Sequence, residues 1–397
     1  VAKALLHLVT FAFVAVVSSG LAWSADAFTQ AVMLYGDKKY DQSEKLLLQH
    51  LAVNPRSADA HYYLASCYHY EGKLAEAKKE YQLILSAFPG TQAATYAAQG
   101  LGTISLAAPT AAAGSAAQTQ RSGANPFEAN PPSTKDDVIP DQEWIPYTKY
   151  TYGNIRVRAS INGRPLEMTF DTGASTTVIG LKHWLAMGFP RPSGKPDGRS
   201  YGVGGGIDMW SQEVEVSLGK IKKHMLVNIA EKLASEPLLG ETFFGDFQYN
   251  IDNSAGYIHF FRKGHTSSAS AIPYNSIDIP FRNEGNNMVI SGKINGHNQE
   301  FFFDTGASSC HFSMYNLINL GIRIPPDAMV GASMGVGGLS RTFLFPVDSI
   351  EVGDLKKTNF RITVSSDMLP YPLLGQTFFG DRRYVIDNDR KLIRFNR

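Results

Sequence analysis

The sequence predicts a multidomain protein in which a small all-α helical module precedes a larger all-β, two-lobed unit. Three observations predict it: a helical pattern with a 34-residue period near the start, an Ala- and Pro-rich stretch after it, and two copies of one strand-and-turn pattern filling the rest, offset by 133 to 135 positions. A chain of 397 residues has room for two or three folded units, at roughly 100–200 residues each. Lys+Arg 37 against Asp+Glu 36 leaves a net charge of +1, so nucleic acid is not an expected partner. A charged fraction of 18% with Gly 36, Tyr 18 and Phe 23 favours turn-rich β structure. Cys67 and Cys310 alone supply neither a disulfide framework nor a four-thiolate zinc site, and the ten histidines form no ligand spacing; no metal and no cofactor is expected.

Residues 1–27 carry Lys3, an apolar run over residues 5–17, Ser18-Ser19-Gly20, and small residues at Ala22, Ser24, Ala25 and Ala27. A charged head, a short apolar middle and small residues form a signal peptide, cleaved after Ser24 or Ala27. The bulk of the chain is then extracytoplasmic, secreted or periplasmic. The alternative is an uncleaved N-terminal membrane anchor, which His7, Thr10 and the Ser-Ser-Gly weaken.

Residues 28–104 read as helices, with Pro55 and Pro89 spaced 34 apart. Leu64-Ala65, Tyr68, Gly72, Ala77, Tyr81 and Pro89 form the better copy; Tyr40, Ser43, Leu47 and Pro55 form a weaker one, with Gln30 and His50 out of pattern. Period and residues resemble tetratricopeptide repeats, with residues 91–101 as a capping helix. The resemblance implies a concave face for a protein partner; the plainer reading is a spacer. Residues 105–141, with Pro126, Pro131 and Pro132, have little to build a core and read as a flexible linker.

Residues 142–264 and 270–397 are the two lobes. Asp171-Thr172-Gly173-Ala174-Ser175 recurs as Asp304-Thr305-Gly306-Ala307-Ser308, and Gly202-Val203-Gly204-Gly205 as Gly335-Val336-Gly337-Gly338, both offset by 133. Leu238-Leu239-Gly240 recurs as Leu373-Leu374-Gly375, and Ile251-Asp252-Asn253 as Ile386-Asp387-Asn388, offset by 135. Asn162-Gly163 and Asn295-Gly296 sit between strand-like runs, the strongest short hairpin signal because both residues tolerate positive φ. The strands that follow are apolar and each delivers an Asp into a Gly turn.

With an Asp-Thr-Gly-Ala at a strand end, a Gly-rich flap and a Leu-Leu-Gly in each copy, the chain resembles the retropepsin-like aspartic proteases across both lobes. Retroviral members build the site from two subunits; a tandem copy is similar to the single-chain arrangement of the pepsin type, so the lobes are expected to pair within one chain. The resemblance implies Asp171 and Asp304 as catalytic residues, Thr172 and Thr305 as cross-links between the two loops, Gly173 and Gly306 as positions of close backbone approach, and the two Gly-Val-Gly-Gly runs as substrate-binding flaps. Two apposed carboxylates share one proton, so one acts as base on a water while the other hydrogen-bonds the scissile carbonyl. Ala174 and Ala307 stand where the pepsin type has Ser or Thr, which implies an activity optimum less acidic than pepsin's.

Tyr201, Val203, Trp210, Met334 and Val336 are candidate substrate contacts, each with packing of the hairpin as the plainer role, and the apolar ones suit hydrophobic side chains around the scissile bond. The run of glycines at 202 and 204–206 lacks phosphate-loop spacing and leads into a strand-like run. Cys310-His311-Phe312 replaces Thr177-Val178-Ile179; adjacent strand residues point to opposite faces, so packing is the expected role, not a Cys/His nucleophile. The functional expectation is an extracytoplasmic aspartic endopeptidase acting on a polypeptide substrate, with a helical recruitment module. The alternative is a catalytically silent scaffold or peptide-binding protein that keeps the protease fold.

Overall fold

The computed structural model describes residues 27–107, 137–263 (152 excepted) and 276–396 (368 excepted). The signal-peptide segment and most of the expected linker lie outside the described residues. Five helices come first: α1 (Ala27–Gly36), α2 (Tyr40–Val53), α3 (Ala58–Tyr70), α4 (Leu74–Ala87) and α5 (Gln92–Ala107). Starts of α2 and α4 are 34 residues apart, as are those of α3 and α5, matching the sequence period. Ser57 caps α3 by accepting from Ala60 N–H at 3.3 Å, and Gly72, at φ 77°, turns α3 into α4. Leu47, Tyr63, Leu64, Tyr81 and Ile84 are buried between the helices. Among the described residues no helix is long and apolar enough to cross a membrane.

The linker is shorter than residues 105–141 at both ends. Helix α5 continues to Ala107, and Val138 forms a bridge with Lys222 while Asp137 accepts from His224 N–H at 2.8 Å, tying residues 137–141 to lobe 1.

Lobe 1 is an eight-stranded sheet, curled so that strand Ile155–Ile161 also meets strand Gly205–Leu218. Asn162 and Asn295 take φ 47° and 48°, and Gly163 and Gly296 follow at 76° and 80°, the two-residue hairpins that the sequence signals. Lobe 2 curls in the same way, strand Asn287–Ile294 meeting strand Gly338–Val352. Its strands continue into six that span both lobes, in the order Gln142–Pro146, Tyr257–Arg262, Phe247–Asp252, Tyr384–Asp387, Leu392–Phe395 and Ile277–Glu284.

The lobes meet where strands 247–252 and 384–387 run antiparallel, with Tyr249 opposite Ile386, Asn250 opposite Val385 and Ile251 opposite Tyr384. Val385 is itself the repeat counterpart of Asn250, so this pair marks the pseudo-twofold axis. Asn253 Nδ2 donates to the Arg382 carbonyl at 2.6 Å, and its counterpart Asn388 donates to the Phe247 carbonyl at 2.7 Å. The repeated Ile-Asp-Asn is thus a reciprocal clasp between lobes. Around it Tyr249, Phe260, Phe303 and Tyr384 build a buried aromatic core.

Two short helices, α6 (Leu181–Ala186) and α7 (Glu241–Phe244), serve lobe 1; α8 (Met314–Asn319) and α9 (Gln376–Phe379) serve lobe 2. The helical module docks on α8: the Tyr315 ring stands 4.4 Å from that of Tyr96 and 5.9 Å from that of Tyr62.

Candidate active site

Each Asp-Thr-Gly turn begins where an apolar strand ends. Strand Arg164–Phe170 delivers Asp171 and strand His297–Phe303 delivers Asp304. Asp171 N–H donates to the Leu239 carbonyl at 3.0 Å and Asp304 N–H to the Leu374 carbonyl at 3.1 Å, so the Leu-Leu-Gly strand fixes the height of each acid. A Cβ on Gly240 or Gly375 would lie 2.3 Å from the carbonyl oxygen of Thr176 or Ser309; only glycine fits beneath the loop.

The two turns are locked by reciprocal bonds. Thr172 Oγ1 donates to the Phe303 carbonyl at 2.8 Å and accepts from Thr305 N–H at 3.0 Å. Thr305 Oγ1 donates to the Phe170 carbonyl at 2.7 Å and accepts from Thr172 N–H at 3.0 Å. Both threonines are fully buried, and every group in the ring is satisfied, which makes the arrangement stiff. A Cβ on Gly173 would lie 2.4 Å from Asp304 Cγ, and one on Gly306 would lie 2.2 Å from Asp171 Cγ. Each carboxyl therefore rests on the other lobe's glycine.

Asp171 Oδ1 accepts from the N–H groups of Gly173 (2.9 Å) and Ala174 (3.1 Å); Asp304 Oδ1 accepts from Gly306 (2.8 Å) and Ala307 (2.9 Å). The two carboxyls interact directly with each other. Burial, the neighbouring charge of Asp304 and the hydrogen bond to it hold the Asp171 carboxyl well above the usual carboxylate range. Burial raises Asp304 as well, against the pull of its backbone donors. The pair retains a proton where isolated carboxyls would have lost it.

The flaps close over this floor. The first hairpin joins Gly198–Gly202 to Gly205–Leu218 and the second joins Met329–Gly335 to Gly338–Val352, with Val203-Gly204 and Val336-Gly337 at the tips. Gly337 N–H donates to the Val203 carbonyl at 3.1 Å. A Cβ on Gly202 would strike Val336 Cγ2 at 2.5 Å, and one on Gly335 would strike Val203 Cβ at 2.5 Å, so each valine fits the groove of the opposite glycine.

Not every expected contact faces the cleft. Trp210 is buried on the far part of its hairpin, donating from Nε1 to the Gly194 carbonyl at 3.2 Å under the Arg191 guanidinium; it packs the hairpin. Met334 is 59% exposed and points to solvent, and the side chain of Tyr201 lies outside the described residues. Cys310 takes the place of Thr177: its N–H meets Thr377 Oγ1 at 3.3 Å as Thr177 N–H meets Thr242 Oγ1 at 3.1 Å. Burial pushes its thiol up to about 12. His311 turns instead to Ser365, with Nε2 at 2.9 Å from Oγ, so thiol and imidazole do not form a nucleophilic pair. Among the described residues, no group of three or more His, Cys, Asp or Glu could hold a metal ion.

Three features escaped sequence reasoning. One is the Asn253/Asn388 clasp, whose signal was the repeat itself. Another is Asp367, which accepts from Ser365 Oγ at 3.0 Å and from Gly204 N–H of the opposite flap at 3.3 Å; nothing in the local sequence points there. The third is the residue after Leu-Leu-Gly. In lobe 2, Gln376 Nε2 donates to the Thr305 carbonyl at 3.0 Å, holding the turn from below. In lobe 1 the position is Glu241, buried, with Oε1 lacking a hydrogen-bond partner.

Two family models match the chain, one in each lobe. Residues 157–243 match the model described as aspartyl protease, and residues 290–381 match the one described as gag-polyprotein putative aspartyl protease. No curated protein matches. The two matches support a retropepsin-like protease in tandem, with hydrolase activity on a polypeptide substrate.

Proposed function

We propose that the protein is an aspartic endopeptidase whose single site is assembled within one chain from Asp171 and Asp304. The observation that carries this reading is the reciprocal Thr172/Thr305 ring, which presses two buried carboxyls together across a pseudo-twofold axis. A protein that merely kept the fold would gain nothing from holding two acids in contact, which costs stability through desolvation and repulsion.

The mechanism follows from the pair sharing one proton. The ionised carboxyl takes a proton from a water, whose oxygen attacks the peptide carbonyl; the protonated partner hydrogen-bonds the carbonyl oxygen as it gains charge. The proton then passes to the leaving nitrogen as the C–N bond breaks, and one proton remains on the dyad. Thr172, Gly173, Thr305 and Gly306 keep the carboxyls in register, which is positioning work. The flap tips, joined by one hydrogen bond between Gly337 and Val203, part to admit an extended peptide and close their backbone over it.

A location outside the cytoplasm, in the periplasm or secreted, is supported by the reading of residues 1–27 as a signal peptide. The helical module, seated on α8 through Tyr62 and Tyr96, holds a protein partner or substrate beside lobe 2. Cleavage of a diverse peptide mixture between about pH 3 and pH 7 tests the reading, with Asp171→Asn and Asp304→Asn alongside. Both variants are expected to lose on the order of 10²–10⁴-fold in kcat. Loss in only one of them refutes a shared site, and a folded wild-type chain that cuts nothing refutes the endopeptidase.

A further inference from the structure

Each lobe presents a wall to the cleft beside the dyad, built from equivalent positions with different chemistry. In lobe 1, Val178, Ile207, Met209, Ala230 and Leu238 form a buried apolar cluster. Ala174, whose N–H holds Asp171, and Val336, the tip of the opposite flap, pack against it. The cluster is therefore the side of the cleft.

The repeat puts His311, Ser340, Thr342 and Ser365 at the positions of Val178, Ile207, Met209 and Ala230. They share one face. Thr342 and Ser365 are direct cross-strand partners, Ser340 lies two residues from Thr342 on the same strand, and His311 reaches Ser365. All four are buried, and Thr342 Oγ1 has no hydrogen-bond partner among the described residues. Because Ser365 Oγ donates to Asp367 Oδ2, it accepts from His311, which puts the imidazole proton on Nε2. Burial pushes His311 down to about 4, so it is neutral and adds no counter-charge to Asp367. Asp367 sits under the tip of the lobe-1 flap, through Gly204, and its counterpart in lobe 1 is the exposed Lys232.

We propose that the two half-sites select different side chains: an apolar one against lobe 1, and a hydrogen-bond donor, best a lysine or arginine, against the His311–Ser365–Asp367 wall of lobe 2. The pseudo-twofold axis passes between the carboxyls, so the two walls fall on opposite sides of the bond under attack. Cleaved sequences then carry an apolar residue close to the bond on one side and a basic residue close to it on the other. The physical reason is asymmetric. A wall built to hydrogen-bond rejects a hydrocarbon strongly, because a hydrocarbon would leave Thr342 Oγ1 buried without a partner and strip water from the Asp367 carboxyl, and an apolar wall rejects a charge through its desolvation. The expectation of hydrophobic preference on both sides, drawn from the flap valines, thereby narrows to one side.

This inference rests on the endopeptidase reading, and the experiment separates the two. The full chain without residues 1–27 is given a randomised peptide library and its products are sequenced. Lys or Arg enriched on one side and apolar residues on the other is the expected result. Asp367→Asn is expected to lower the ratio of kcat/KM for a Lys substrate over its Gln homologue about tenfold, and Thr342→Met to shift that side toward apolar residues. Apolar enrichment on both sides, or an Asp367→Asn effect equal for all substrates, overturns the inference while leaving the protease standing. Absence of any cutting overturns both.

Discussion

The two lobes share a scaffold and differ in their walls, and the pattern of difference is informative. Thr172 and Thr305, Gly173 and Gly306, and Asn253 and Asn388 are identical between copies, and each reaches into the other lobe. A change in one of them is felt by its twin, so symmetry is enforced by contact. Val178 and His311, or Ala230 and Ser365, are buried within their own lobes, make no reciprocal bond across the axis and have diverged. The residues that bond reciprocally across the axis have stayed the same, and these buried positions within each lobe have been free to specialise.

The largest way to break this comparison is to remove one half of the reciprocal ring. Thr172→Ala leaves Thr305 N–H and the Phe303 carbonyl buried without partners, and Thr305→Ala leaves the mirror pair. Each is expected to cost about 2–5 kcal/mol, read as a shift of the urea midpoint. If the two losses differ severalfold, the lobes do not bear equally on the axis.

A smaller effect sharpens a place where the support of the dyad is asymmetric. Burial pushes the Glu241 carboxyl up from 4.5 to about 8, with Lys391 and Lys263 pulling it down and Asp246 adding to the rise. Its Oε2 lies 2.8 Å from a Cβ built on Gly245, as Gln376 Oε1 lies 2.5 Å from one on Gly380. By this correspondence Oε1 takes the place of the Gln376 amide, where a protonated carboxyl supplies a donor and an ionised one does not. Between pH 4.5 and 8 the folded chain holds a proton that the unfolded chain has released, so this group's contribution falls as pH rises, by about 1.4 kcal/mol per unit. Glu241→Gln is therefore expected to equal wild type in stability near pH 4 and exceed it by about 3 kcal/mol at pH 7, with the difference level above pH 8. Gln376→Glu is expected to impose the opposite trend on lobe 2. Were Glu241 ionised and paired with lysine, Glu241→Gln would be the less stable protein at pH 7.

The smallest effect concerns Cys310. Lobe 1 already shows that a threonine fits the site, since Thr177 Oγ1 accepts from Gly240 N–H at 3.2 Å and lies 3.4 Å from Thr242 Oγ1. Cys310→Thr is expected to change stability by less than about 1 kcal/mol and to leave cleavage intact. A large loss of cleavage would revive a chemical role for the thiol.

Much of this was legible because the chain states its pattern twice. One Asp-Thr-Gly is a turn; two at equal offset, each with its Gly-rich hairpin and its Leu-Leu-Gly, describe a paired site. The helical period and the Asn-Gly hairpins were equally readable, being local backbone preferences. For Trp210 the sequence left substrate contact and packing both open, because alternation along a strand gives the face but not which part of a long hairpin overlies the cleft; the structure shows packing. Asp367 stayed hidden because its meaning comes from Gly204, which is 163 residues away.

By itself, then, the sequence determined the modules, the duplication and the two acids, since these depend on period, turn chemistry and repetition along the chain. Only the tertiary structure decided that the acids meet in one molecule, that Gln376 holds its turn while the matching Glu241 is buried with Oε1 unpartnered, and that equivalent buried positions are apolar in lobe 1 and polar in lobe 2. Those facts are relations between surfaces brought together by burial, and burial is a property of the packed chain, not of any stretch of it.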